Sequence, residues 1–131
     1  MSSESSSVNA LDSASNSRVR ERLVAFSVRT VRAATSLPNH PAADHLADQL
    51  LRSATAPGAH LREANRARSP AEFISKLQTA LQELDEAQYW IEVVAKSPFT
   101  DEERYRDLHR ESDELLAILT TIVKNTKSNS D

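Results

Sequence analysis

Apolar residues return at every third or fourth position through four stretches of this chain, and three proline-containing breaks separate them. A period near 3.6 gathers such residues on one side of a helix, whereas a half-buried strand would alternate every second position. The first stretch offers Val19, Leu23, Phe26, Ala33 and Ala34, and the second Ala43, Leu46, Leu50, Ala54, Pro57, Leu61 and Ala64. The third offers Phe73, Leu77, Ala80, Leu84, Ala87, Ile91 and Val94, and the fourth Tyr105, Leu108, Leu115, Leu119, Ile122 and Val123.

The breaks carry turn and capping chemistry. Leu37-Pro38-Asn39-His40-Pro41 reads as a loop. Ser69-Pro70-Ala71-Glu72 is a capping box, in which the serine oxygen takes an otherwise unpaired N–H and proline, lacking one, opens the helix. Ser97-Pro98 stops the third helix, and Thr100-Asp101-Glu102-Glu103 is a second box. These signals predict helices over 17–36, 41–67, 70–97 and 101–125. Short connections make consecutive helices antiparallel, so the expected fold is an all-α, up-down-up-down four-helix bundle.

Pro57 and Gly58, the one glycine, fall inside the second helix. Proline there removes an N–H and frees the Ser53 carbonyl, so a kink near Pro57-Gly58 is expected, with glycine giving the bend its freedom.

At 131 residues the chain has room for one domain, placed at 17–125. Seven of the first sixteen residues are serine, and the chain ends in TKSNSD, so tails at 1–16 and 126–131 are expected to be disordered. The first residues have neither the basic nor the apolar region of a secretory signal. No apolar run approaches ~18 residues, so no membrane partner is expected. Cysteine is absent, which excludes disulfides and thiolate metal sites and suits a cytoplasmic protein.

The net charge of −3 conceals an asymmetry. Residues 18–69 carry nine arginines against four acids, while residues 70–124 carry six cations against twelve acids. Arg18, Arg22, Arg29 and Arg32 fall on one face of the first helix, spread over ~21 Å at the helical rise. Arg52, Arg62 and Arg66 share a solvent-side face of the second. Arginine outnumbers lysine twelve to four, and its planar fork suits phosphate. No aromatics interleave these arginines, so any RNA or DNA contact would be to backbone, with little sequence preference. The competing reading is that basic helices pair with acidic ones.

Val24, Val28 and Val31 form a second apolar stripe away from the first helix's core face. In the segment YWIEVVA, Tyr89 and Val93 point away from the Ile91–Val94 side, with Trp90 at its flank. One buried stripe per helix suffices for an isolated bundle, so these six residues are candidate contacts with another copy.

No catalytic constellation emerges, and the chain reads as a non-enzyme without cofactor or metal. Di-iron bundles need paired Glu-x-x-His motifs, whereas His60-Leu61-Arg62-Glu63 has the reverse order and no second copy. His45 and Asp48 share a face, as many solvated pairs do. Glu83, Asp85 and Glu86 evoke an all-helical, magnesium-dependent pyrophosphohydrolase, but the paired acidic helices of such a site are not repeated.

Residues 49–94, QLLRSATAPGAHLREANRARSPAEFISKLQTALQELDEAQYWIEVV, carry a block of specific positions. Among them are Gln49-Leu50, Arg52-Ser53-Ala54, Gly58-Ala59, Arg62-Glu63-Ala64, Arg66-Ala67, Ala71-Glu72-Phe73, Ser75-Lys76-Leu77 and Tyr89-Trp90. In these the chain resembles the bacterial 23S rRNA intervening-sequence family of four-helix bundles, to which the accessory protein of diversity-generating retroelements is related. The resemblance spans roughly residues 18–125. It departs at Pro57, His60, Gln78-Thr79 and Gln82, where the branch usually has Val, Asn, Gly-Ile and Lys.

The resemblance implies a bundle that assembles into a ring, typically a homopentamer with a central channel. The rRNA-associated members have no established activity, while the retroelement relative is a basic nucleic-acid-binding protein. Two readings therefore stand: a ring-forming bundle whose arginines contact RNA or DNA, and a structural or protein-binding homo-oligomer without nucleic-acid activity.

Overall fold

The computed structural model describes residues 13–130, and over them the chain forms four helices: α1 (Ser13–Thr35), α2 (Pro41–Ala64), α3 (Pro70–Lys96) and α4 (Glu103–Ser130). The ends follow local hydrogen-bond chemistry. His40 caps α2 from an extended conformation, its Nδ1 accepting the Ala42 N–H at 3.0 Å, with Pro41 just inside. Ser69 caps α3, its Oγ accepting the Glu72 N–H at 3.1 Å as the capping box requires. The fourth helix starts at Glu103, two residues later than expected, because the Asp101 carboxylate takes the Arg104 N–H at 3.0 Å. Bonds from Arg66 N–H to Glu63 O and from Ala67 N–H to Ala64 O tighten the chain and end α2 at Ala64 rather than 67.

Neighbouring helices meet in opposite chain directions. From α1 to α2, Asn16 meets Asn65 and Ser27 meets Ala54. From α2 to α3, His45 meets Trp90, Arg52 meets Glu83 and Glu63 meets Lys76. From α3 to α4, Gln88 meets Ser112 and Lys96 meets Glu102. Helix α4 returns to α1, closing the bundle through Arg22–Glu111 and Tyr105–Ala33. Among the described residues, α1 lies beside α2 and α4, with α3 diagonally across the shared core.

The predicted stripes supply the core. All seven α3 residues are fully buried, as are Leu23 and Phe26 of α1, Leu50 and Leu61 of α2, and Leu115 and Leu119 of α4. Leu46 and Ala33 are partly buried against them. Four buried hydroxyls complete the faces where apolar periodicity skips a turn. Thr30, Ser53, Ser112 and Thr126 each bond a carbonyl three or four residues back in their own helix, at 2.8, 2.8, 2.6 and 2.7 Å. This local bonding lets a polar residue occupy a core position without an unsatisfied donor.

Thr126 also corrects the expected end of the domain. It continues the buried face one turn past Val123, so residues 126–130 are helical rather than tail. At the other end α1 already includes 13–16, where Asn16 bonds Asn65. The remaining expected tail residues, 1–12 and 131, lie outside the described residues. Pro57 is buried, and α2 is helical on both sides of it. Among the described residues no helix is long and apolar enough to cross a membrane.

Candidate functional site

The seven candidate arginines divide by their partners. Arg22 turns toward α4: its Nε and Nη2 donate to the two oxygens of Glu111 at 3.0 and 2.8 Å, and Nη2 also reaches Glu114 at 2.8 Å. These hydrogen bonds, Glu111 first, hold the guanidinium above its ordinary pKa. Arg52 bridges to α3, bonding Glu86 and, at 3.3 Å, Glu83. Arg18 donates to Ser15 Oγ. The side chains of Arg29, Arg32, Arg62 and Arg66 are exposed and make no ion pair or hydrogen bond among the described residues.

Those four converge on adjoining clefts along α1 and α2. The largest, about 570 Å³, has Arg29 and Arg32 from α1 and Arg62 from α2 on its walls, over Val24, Ala25, Val28 and Gly58. A second, about 500 Å³, runs over Val24, Val28, Gly58 and Ala59 to Arg62 and Arg66. A third, about 410 Å³, lies where α2 ends, between Asn16, Arg20, Arg62, Asn65 and Arg66. Together they form one groove with an apolar reach and a polar end.

Arg20 is the arginine that sequence reasoning left out. It lies off the Arg18–Arg32 face, and its proximity to Arg62 and Arg66 depends on which side of α1 receives α2. Two acids border the groove. Glu21 accepts from Ser17 Oγ at 3.1 Å, and Glu63 lies 3.4 Å from Lys76 Nζ and 3.5 Å from His60 Nδ1. The Lys76 bond, followed by that of His60, holds the Glu63 carboxyl below its ordinary range, so it stays ionised and paired at neutral pH.

The apolar candidates sit on two unconnected faces. Val24, Val28 and Val31 are exposed on α1, with Val24 53 % accessible. Tyr89, on α3, is 57 % accessible. Val93 is half-buried, and Trp90 packs partly into its own chain, its Nε1 donating to Glu86 at 3.1 Å with His45 edge-on to its ring. Val24 and Val28 also floor the cationic groove, so the two surfaces separated by sequence reasoning overlap on α1.

Of the acids considered for hydrolysis, Glu83 and Glu86 are bound to Arg52 and Asp85 is exposed. Another cleft, about 380 Å³ between α3 and α4, contains His109 with its Nε2 2.8 Å from Glu92 and its Nδ1 3.8 Å from Asp113. Among the described residues no three His, Asp or Glu side chains are placed to hold a metal ion.

Four packed helices with a cationic groove along two of them define an all-α bundle whose candidate binding surface is built on helix sides. The chain belongs to the 23S rRNA-intervening sequence protein family, whose model matches residues 15–121. It is similar to a crystal structure of a protein with unknown function from the S23 ribosomal protein family of Bacteroides thetaiotaomicron. The two share 36 % identity with a TM-score of 0.75, over 81 % of this chain and 98 % of that one. No curated protein matches it.

Proposed function

We propose that this protein is a non-enzymatic, cytoplasmic homo-oligomer that binds the phosphate backbone of RNA or DNA through Arg29, Arg32, Arg62 and Arg66, joined by Arg20. The observation carrying this reading is that these guanidiniums share one groove and make no ion pair among the described residues. Arg22 and Arg52, tied to α4 and α3, serve the bundle instead. Guanidinium groups without carboxylate partners are available to exchange water and counterions for phosphate oxygens. The family description refers to a segment within 23S rRNA, which makes a structured RNA the first ligand to test.

The exposed apolar residues support assembly. Val24, Val28 and Val31 on one copy would meet Tyr89, Trp90 and Val93 on the next. Because the two faces lie on different helices, such contacts join unlike faces, and head-to-tail contacts of this kind close into a ring when the rotation between copies closes.

The test is fluorescence anisotropy with a structured RNA and a DNA duplex at two salt concentrations. Wild type should bind with strong salt dependence, and Arg29→Gln/Arg32→Gln should lower the logarithmic salt slope by about 2 on duplex DNA. Arg22→Gln should leave the slope unchanged. Absence of wild-type binding at low salt would sink the nucleic-acid reading and leave Val24 and Val28 as contacts between copies alone.

A further inference from the structure

We infer that the polar end of the groove is a distinct site for a multiply charged phosphate group: a terminal phosphate or a short oligophosphate. The inference rests on the phosphate-binding reading above and narrows it to one end of one groove. Three observations set this end apart. Among the described residues its lining is Asn16, Arg20, Arg62, Asn65 and Arg66, three cations and two amides with no acid, whereas Glu21 and Glu63 border the adjoining clefts. It excludes Val24 and Val28, so it does not depend on the apolar floor that a second copy would cover. Its two walls are tied together, with Asn65 Nδ2 donating to Asn16 Oδ1 at 3.1 Å between the start of α1 and the residue just after α2.

The chemistry of the lining selects the ligand. Each guanidinium offers a planar set of N–H donors that matches phosphate oxygens in pairs, and it has no acceptor. Gathering three around one cleft without a counter-charge among the described residues is repulsive, and an anion of charge −2 or more relieves it better than a single phosphodiester. Among the described residues no aromatic ring lines the cleft, so a base or nucleoside has nothing there to stack on. The phosphate itself is the recognised group, whether it ends a nucleic-acid strand or belongs to a free oligophosphate. The main-chain bonds from Asn65, Arg66 and Ala67 already occupy the Leu61, Glu63 and Ala64 carbonyls, which reduces the exposed acceptors that would repel an anion there.

The test uses the full chain and inorganic tripolyphosphate in calorimetric titration at low salt. One saturable site per chain is expected. Arg20→Gln/Arg66→Gln should weaken it tenfold or more, and Arg29→Gln/Arg32→Gln less than twofold. Asn16→Asp is a second probe, because it keeps an oxygen for the Asn65 bond while adding a negative charge. It should weaken the anion as strongly with circular dichroism unchanged.

Two RNA strands of one sequence, with a 5′-triphosphate or a 5′-hydroxyl, then separate the sources. A tenfold preference for the triphosphate assigns the site to strand ends, and equal binding assigns it to free oligophosphate. No saturable tripolyphosphate binding, or equal weakening by both double variants, would overturn the site. RNA binding that survives Arg20→Gln/Arg66→Gln and fails in Arg29→Gln/Arg32→Gln would then leave the groove reading intact without it. Tripolyphosphate binding without RNA binding would do the reverse, keeping the site and removing the backbone reading.

Discussion

Tyr105 shows how one side chain can link helix ends and set a pH limit. It is 2 % exposed, and its hydroxyl donates to Ala33 O at 3.1 Å, joining the start of α4 to the end of α1. Burial raises its pKa above the ordinary 10.0, with Arg104 opposing slightly. The unfolded chain therefore loses this proton first. The contribution to stability is full below pH 10 and declines as pH rises from there through the folded value. Urea denaturation should show wild type losing stability above about pH 10 relative to Tyr105→Phe. At neutral pH the variant should be about 1 kcal/mol less stable, for want of the hydrogen bond. Parallel alkaline profiles for the two proteins would exclude Tyr105 as the titrating group. At this same scale sequence reading was weakest, since Thr30, Ser53, Ser112 and Thr126 are buried yet look like surface residues to any count of apolar periodicity.

Helix α2 carries the features that were hardest to weigh from sequence. Its helical backbone runs through Pro57, and Gly58 has no positive φ. A methyl group added at Gly58 would meet Leu23 Cβ at 3.6 Å, an ordinary contact, so the approach of α1 does not require glycine. Gly58→Ala should therefore stabilise the protein by about 1 kcal/mol, from the lower helix propensity of glycine alone. Thermal unfolding should move up by about 4 °C or slightly more, and a fall would mean that the neighbouring helix cannot yield even to an ordinary contact. The elements themselves were largely legible. Caps at Ser69 and the stop at Ser97-Pro98 act within a turn of their own position and fell where expected. The start of α4 moved because Asp101 takes the Arg104 N–H, and its end moved because Thr126 continues the buried face.

At the scale of the whole molecule, the proposed assembly joins the valine face of α1 on one copy to the Tyr89 face of α3 on the next, a directional contact. Val28→Asp and Tyr89→Asp should each abolish assembly while preserving helicity. Mixing the two variants should restore one interface, since one keeps its tyrosine face and the other its valine face. Sedimentation would then show a one-to-one heterodimer, a result that a symmetric contact through a single face cannot give. Monomeric wild type would remove the assembly reading altogether.

Helical period and capping are properties of a few neighbouring residues, so the four helices and nearly all of the core that they bury could be read from residue order alone. Residue order also makes the first two helices basic and the last two acidic. What each charge does depends on the packing of the folded bundle. Arg22 finds Glu111 on α4 and Arg52 finds Glu83 and Glu86 on α3, while Arg20 is brought beside Arg62 and Arg66. A helical wheel fixes angles around one axis, whereas an ion pair or a cleft depends on the rotation and spacing of two. Those are set by how the buried side chains of both helices interlock.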